Sequence, residues 1–232
     1  MRKKIREFSR NSMAKFREFT ASIPRRTRKA SQMIDVCLTF PADHPKDPSL
    51  CKRRLWAFLR RLEREYGEFP IIWKQEFQGR EAIHYHLVLF LPPSMLKSGK
   101  DLRRMREFVA RSWYTVCGEI CEEHLGAGTS VGKVRDWLDT VKYLAKPERV
   151  AGPEGEDQSP GKGPDPGRFW GIWHKELLHI AWETVRISMR DFYAIRRVMR
   201  RLVGLKPRGT VRTMNVFVGD EVVERILPHP SP

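Results

Sequence analysis

The chain of 232 residues lacks several features that mark whole classes of protein. It has only four cysteines, too few and too scattered for a disulfide scaffold, so we expect a reducing compartment. No run approaches 18 apolar residues, so no membrane-spanning helix is predicted. No apolar signal core follows the basic N-terminus, and no P-loop pattern occurs. Secretion and a P-loop motor are therefore both unexpected.

Basic residues are abundant, with 44 Lys and Arg against 28 Asp and Glu and a formal net charge of +16. This excess predicts a polyanionic partner, either nucleic acid or an anionic membrane surface. Residues 1–32 hold eleven basic and two acidic side chains and are interpreted as a basic N-terminal arm. Residues 186–212 hold nine basic side chains and one acidic side chain. For both segments, nucleic-acid contact is favoured over a merely solvated surface.

Hydrophobic periodicity predicts an α+β fold. The predicted strands cover residues 33–40, 70–77, 83–91 and 168–173. The predicted helices cover residues 50–66, 102–123, 133–146 and 176–203. The β-α-β-β-α order predicts a split βαβ (ferredoxin- or RRM-like) layout, with a central antiparallel sheet of about five strands and helices on one face.

The domain organisation follows from composition. After the arm, a domain is predicted over residues 33–175, and it contains a flexible Pro- and Gly-rich loop at 147–167. Residues 176–232 are predicted to form a basic helix and a C-terminal hairpin over 210–227. Residues 126–132 are interpreted as a Gly-rich turn.

A candidate metal site lies on two neighbouring strands. His84 and His86 share one face of a strand because side chains alternate. If the hairpin closes with Phe77 opposite Ile83, Glu76 lies directly across from His84 on that face. A register slip of one residue would turn Glu76 away. Two imidazoles and a carboxylate suit Mn²⁺ or Zn²⁺, and Mg²⁺ when substrate oxygens complete the shell.

A candidate nucleophile lies near the end of the helix over residues 133–146. Tyr143 and Lys146 are three residues apart and therefore share a helical face. A phenol is a poor nucleophile at neutral pH, because its unperturbed pKa is about 10. A nearby ammonium favours the phenolate and neutralises charge on a phosphate. The alternatives are a half-buried helix tyrosine and a lysine that only complements the helix C-terminus.

Together these residues resemble the HUH endonuclease superfamily and, within it, the single-tyrosine rolling-circle replication initiators. The strand Asp35–Pro41 is similar to their first motif. Glu76 with His84-Tyr-His86 is similar to their metal motif, and Tyr143-Leu-Ala-Lys146 to their nucleophile motif. The stretch 168–173 is similar to a Gly-Arg-x-Trp-Gly sequence of some phage and plasmid initiators. The resemblance covers about residues 33–175. It departs at residues 79–81, where Gly-Arg-Glu replaces the common Arg-Gly-x.

The resemblance implies an enzyme that nicks and joins single-stranded DNA at a replication origin through a covalent 5′-phosphotyrosine. Tyr143 and Lys146 would be catalytic, and Glu76, His84 and His86 would bind Mn²⁺ or Mg²⁺. DNA contacts are expected from Thr39, Lys142, Arg168 and Trp170. The expected partners are origin DNA and a host helicase and polymerase, with no membrane. The expected location is the cytoplasm of a bacterial host cell.

Two other functions stay open at this stage. One is a related transposase or relaxase that shares the chemistry and selects different DNA. The other is a non-catalytic basic module that binds nucleic acid. Separately, Cys117, Cys121 and His124 fall at helical spacing and could begin a zinc site, although buried thiols are the more common explanation.

Overall fold

The computed structural model of the chain describes residues 8–77, 82–118, 121–146, 167–181 and 188–202, with residues 199–202 described by their backbone alone. Within these ranges it contains five strands: β1 (Gln32–Thr39), β2 (Ile71–Phe77), β3 (Ile83–Leu91), β4 (Thr129–Lys133) and β5 (Trp170–Trp173). The same ranges contain seven helices: α1 (Arg10–Ala21), α2 (Arg25–Lys29), α3 (Pro48–Tyr66), α4 (Gly99–Cys117), α5 (Glu122–Ala127), α6 (Trp137–Leu144) and α7 (Met189–Leu202). A 3₁₀ turn at Lys175–Leu177 follows β5.

The five strands form one antiparallel sheet in the order β4-β1-β3-β2-β5. The first four strands of this order reproduce the predicted split βαβ layout, and β5 extends the sheet beyond β2. β3 lies at the centre and is paired along its length with β1 and β2. The predicted α+β class and five-stranded antiparallel sheet are confirmed.

Local sequence signals explain where the helices begin and end. The Asp47 side chain caps α3 by accepting from the Ser49 backbone N–H at 2.8 Å, and Pro48 fits the first helical turn. The helix ends at Gly67, whose φ of 78° is accessible to glycine without strain. Asp136 caps α6 in the same way by accepting from the Asp139 N–H at 2.8 Å.

One face of the sheet carries the larger hydrophobic core. Alternate side chains of β1, β2 and β3 point into it and pack against α3 and α4. Trp113 of α4 is fully buried, and its ring packs against Phe40 and Phe58. Burial of each such large apolar side chain stabilises the fold by roughly 1.5–3 kcal/mol.

The opposite face is also covered by helices, which corrects the prediction of helices on one face only. Here Ile72, Val88 and Phe90 pack against side chains of α1 and α6 in a second core. Trp137 of α6 lies 5.8 Å from the ring of Phe90. The apolar side chains of this face lie toward one end of β2 and β3, and His84, His86 and Glu76 lie toward the other end.

The N-terminal segment takes part in this second core. Phe8, Phe16 and Ile23 are almost completely buried, and the Phe16 ring lies 5.2 Å from that of Trp170 in β5. Residues 8–30 are therefore packed against the sheet, which the interpretation as an arm did not anticipate. Contact of this segment with nucleic acid stays a prediction, as do the domain boundaries.

Two further differences concern the chain between α4 and β4. The predicted helix over 102–123 ends at Cys117, because Gly118 adopts the left-handed conformation with φ of 71°. The Gly-rich stretch predicted as a turn contains the edge strand β4, which pairs with β1. Two glycines in this stretch hide its strand character, since glycine is depleted in strands.

Several predictions lie outside the described residues. These are the loop over 147–167 except for its last residue, the C-terminal hairpin over 210–227, and residues 78–81 of the β2–β3 connection. In the part of the chain that is described, no helix combines the length and the apolar character needed to cross a membrane.

Candidate active site

The site begins with the pairing of β2 and β3. Phe77 pairs with Ile83, and Glu76 therefore lies directly opposite His84. This is the register predicted from the hairpin, and it is confirmed. The rings of His84 and His86 lie side by side with centroids 4.5 Å apart, on the same face as Glu76.

The Glu76 carboxylate is held by two neighbours. Its Oε1 accepts a hydrogen bond of 2.6 Å from Lys74 Nζ, and its Oε2 lies 3.2 Å from His86 Nε2. Burial favours the neutral acid, but the hydrogen bonds from His86 and Lys74 outweigh it and lower the pKa of Glu76 to about 2. The carboxylate is therefore ionised at neutral pH, as a metal ligand must be.

Lys74 is fully buried. Besides Glu76, its ammonium donates to the Lys146 backbone carbonyl at 3.4 Å and lies 5.4 Å from the centre of the Phe8 ring. A buried lysine is stable only with such partners. Lys74 thus connects the acid of β2 to the chain end of the helix that carries Tyr143.

The neighbouring strand β1 contributes two more polar side chains. In the β1–β3 register, Thr39 lies opposite His84 and Cys37 opposite His86. Thr39 Oγ1 is 3.0 Å from His84 Nδ1, and Cys37 Sγ is 2.8 Å from His84 Nε2. Burial raises the pKa of the Cys37 thiol to about 12, and the nearby carboxylates of Asp35 and Glu76 raise it further. Without a metal ion, Cys37 is therefore a neutral thiol.

Helix α6 brings the phenol to the same place. Tyr143 Oη lies 3.3 Å from His86 Nε2, and the rings are 5.0 Å apart. The Lys146 ammonium lies 4.5 Å from the centre of the Tyr143 ring, which is the helical-face relation expected from their spacing. Tyr143 remains 42% exposed, so a ligand from solution can reach the phenol.

The donor set fits a divalent cation. The metal-binding atoms of Cys37, His84 and His86 all lie within 4.8 Å of one another. Glu76 adds a carboxylate oxygen next to His86, and the Tyr143 hydroxyl approaches the same imidazole nitrogen. Imidazole and carboxylate donors suit Mn²⁺ and Zn²⁺, and a thiol adds a preference for softer ions.

The residues predicted to contact DNA are more dispersed. Thr39 lies in the site beside His84. Lys142 is exposed on α6, where it pairs with Asp139 at 2.9 Å. Arg168 is exposed, and its carbonyl accepts from Lys52 at 2.7 Å. Trp170 is half-buried and donates from Nε1 to Ser12 Oγ at 3.1 Å. A role of these residues in DNA binding stays a prediction.

The possible zinc trio does not assemble. Cys117 is buried at the end of α4, whereas Cys121 is exposed and contacts Glu123 at 2.7 Å. His124 Nε2 lies 2.9 Å from the Thr39 carbonyl oxygen, which ties α5 to the end of β1. The break at Gly118 removes the single helix on which the trio depended.

Another group of potential ligands has a structural explanation. Glu63, Glu68 and His174 offer donor atoms within 4.8 Å of one another. His174 Nε2 lies 3.1 Å from Glu63 Oε2, and its Nδ1 lies 3.2 Å from Glu176 Oε1. Trp173 also donates to Glu63. These contacts fasten the end of β5 to α3 without an ion.

Sequence reasoning missed two residues of the site, Lys74 and Cys37. Lys74 shares a strand face with Glu76 by alternation, and that was a usable signal. Cys37 had no such signal, because β1 and β3 are separated along the chain by α3 and β2. Their pairing register cannot be counted from a short turn.

The fold and the cluster together define an α+β protein with a candidate metal centre next to a tyrosine. Residues 34–148, just under half of the chain, match the family model described as replication-associated protein of the ORF2 type. This stretch contains β1, β2, β3 and α6, and hence the whole cluster. No curated protein and no solved structure is significantly similar to the chain. The family similarity supports a protein like the replication initiators, with a role in DNA replication.

Proposed function

We propose that the protein nicks and rejoins single-stranded DNA at a replication origin, with Tyr143 as the nucleophile. One observation carries this proposal: the Tyr143 hydroxyl and the Glu76 carboxylate both lie within 3.3 Å of the same nitrogen of His86. A nucleophile beside a divalent-cation ligand set is what phosphodiester transfer requires. The similarity to replication-associated proteins supports the DNA substrate.

The reaction exchanges one phosphodiester bond for another. The Tyr143 oxygen attacks the scissile phosphorus in line, a phosphorus–oxygen bond forms, and the bond to the 3′ oxygen breaks. The phenol loses its proton, and the departing 3′ oxygen gains one. The product is a 5′-phosphotyrosine and a free 3′ hydroxyl. A later 3′ hydroxyl reverses the exchange and rejoins the strand, so no external energy source is consumed.

The side chains of the cluster have separate tasks in this proposal. Glu76, His84 and His86 hold Mn²⁺ or Mg²⁺, and the bound ion polarises the scissile phosphate as a Lewis acid. Lys146, 4.5 Å from the Tyr143 ring, stabilises the negative charge that spreads over the phosphate and the phenol oxygen. Lys74 keeps Glu76 ionised and fixes its position.

The charge and exposure of the protein support a nucleic-acid substrate. The net charge of +16 favours any polyanion, and the exposed phenol admits a flexible single strand more readily than a duplex. Thr39, Lys142, Arg168 and Trp170 are the proposed DNA contacts. A host helicase would open the origin, and a host polymerase would extend the 3′ hydroxyl.

The test is formation of a covalent protein–DNA adduct. Purified full-length protein is incubated with a pool of labelled single-stranded oligonucleotides and Mn²⁺, and the products are separated on a denaturing gel. We expect a labelled band at the mass of the protein plus DNA, lost on addition of a chelator. The Tyr143→Phe variant should give no band, and Tyr193→Phe on α7 is the matched tyrosine control.

The outcome separates the competing functions. A wild-type protein that binds the pool but forms no adduct is a non-catalytic module, and the proposal is then wrong. An adduct with origin sequences supports an initiator, whereas an adduct confined to transposon-end hairpins supports the related transposase. A His84→Ala variant that cleaves fully would refute the metal assignment.

A further inference from the structure

The Cys37 side chain enters the metal cluster from a strand that the hairpin motif does not include. Its sulfur lies 2.8 Å from His84 Nε2, and its donor atom forms a compact group with those of both histidines. The Glu76 carboxylate, by contrast, is engaged by Lys74 at 2.6 Å and by His86 at 3.2 Å. The two histidines therefore have two possible third ligands, one hard and one soft.

We propose that Cys37, His84 and His86 form a zinc site that excludes the catalytic ion, so that Zn²⁺ inhibits the protein. This inference rests on the proposed function, because it concerns the regulation of the same histidines. Both modes use both imidazoles, and only one ion can occupy them. Thiolate and imidazole favour Zn²⁺, whereas carboxylate and substrate oxygens favour Mn²⁺ or Mg²⁺.

The distances are compatible with this coordination. Zinc binds nitrogen at about 2.0–2.1 Å and thiolate at about 2.3 Å, so neighbouring tetrahedral ligands are about 3.4–3.6 Å apart. The three donor atoms, all within 4.8 Å of one another, need only small side-chain rotations to reach these separations. The thiol loses its proton to water on binding, because the thiolate is the ligand. A water molecule would fill the fourth position.

The competing explanation is that Cys37 only orients His84 through a hydrogen bond. In that case the thiol contributes no metal bond, and zinc binds no differently after its replacement by a hydroxyl. Serine is close to cysteine in size and keeps a hydrogen-bond donor, so Cys37→Ser separates the two explanations. The exposed Cys121 on the surface provides the matched control.

The experiment uses Co²⁺ as a spectroscopic probe in the full-length protein. Wild type and Cys121→Ser should show a sulfur-to-cobalt charge-transfer band in the near ultraviolet, which Zn²⁺ removes by displacing the cobalt. Cys37→Ser should lack the band and bind Zn²⁺ more weakly by at least about tenfold, the lower end of what loss of an outer-sphere partner costs. A band that is absent from wild type, or that persists in Cys37→Ser, would overturn the proposal.

A second measurement keeps the test decisive if Cys37→Ser does not fold. Wild-type protein is alkylated with iodoacetamide with and without Zn²⁺, and the modified cysteines are identified by mass spectrometry. Zinc should protect Cys37 and leave the labelling of Cys121 unchanged. Equal labelling of Cys37 in both conditions would refute the zinc site.

The outcome is distinguishable from failure of the proposed function. If Mn²⁺ supports the DNA adduct while cobalt shows no sulfur band, the nicking function stands and the Cys37 site does not. If the sulfur band appears while no adduct forms with any ion, the metal site stands and the nicking function fails. In the full proposal, Zn²⁺ suppresses the adduct that Mn²⁺ supports, and Cys37→Ser requires more Zn²⁺ for the same suppression.

Discussion

Replacement of the buried Lys74 tests whether an ion pair holds the site together. The Lys74→Met variant keeps the length and the apolar stem of the side chain and removes its ammonium. Glu76, whose side chain is only 13% exposed, then keeps His86 as its hydrogen-bond partner but loses its 2.6 Å contact with Lys74. Removing one partner of a buried pair costs about 3–5 kcal/mol of unfolding free energy. We expect the lower end, because His86 remains.

The pH dependence gives this prediction a sign. The folded protein lowers the pKa of Glu76 from the model-peptide value of 4.5 to about 2. The associated stability is fully present above about pH 4.5 and is lost as the pH falls toward 2, because protonation removes the charge that Lys74 binds. A difference of about 2.5 pKa units corresponds to about 3.4 kcal/mol. The cost of Lys74→Met should therefore shrink between pH 7 and pH 3.

Urea unfolding followed by circular dichroism, at both pH values and with a chelator present, measures the effect. Glu76→Gln and the double variant complete a thermodynamic cycle. The double variant should be more stable than the two single costs add up to, since it buries no unpaired charge. Single costs below about 1 kcal/mol that are simply additive would refute the buried ion pair.

Three further predictions follow from individual contacts. Tyr143→Phe should abolish the DNA adduct and change the unfolding free energy by about 1 kcal/mol or less, since it removes one hydrogen bond of a half-exposed ring; a larger loss would mean that the ring is a structural element. Gly171→Ala should destabilise the fold by about 1–3 kcal/mol, because the new Cβ would lie 2.6 Å from the Trp73 ring. Gly132→Ala, where nothing lies within 4 Å, is the control, and equal melting temperatures would contradict the packing. Lys142→Ala should reduce the slope of log affinity for single-stranded DNA against log salt by about 0.7, the value for one phosphate contact; an unchanged slope would remove Lys142 from the DNA interface.

Local and hairpin-linked features were predictable from the sequence. The short β2–β3 connection determines the pairing of Phe77 with Ile83, and that pairing determines the neighbourhood of Glu76 and His84. The relation of Tyr143 to Lys146 follows from helical spacing alone. These parts depend on a few residues of chain geometry, so counting along the sequence is sufficient.

The rest depended on contacts between distant segments. The burial of Phe16 and Ile23 was obscured by the basic residues between them, which suggested a solvated arm. Cys37 joins the site through the β1–β3 pairing, across more than 40 residues of sequence. Lys74 was overlooked because a lysine in a strand usually faces water, and only the packed fold gives it buried partners.

The two halves of the proposed reaction centre rest on scaffolds of unequal strength. The imidazoles belong to β3, an interior strand hydrogen-bonded on both sides, whereas the phenol belongs to α6, a helix of eight residues. Helices this short are marginal in isolation, and local opening concentrates in such elements. Amide hydrogen exchange should therefore be slow around the histidines and fast along α6. A tyrosine that becomes joined to a DNA end could then swing away with its cargo while the cation stays in place.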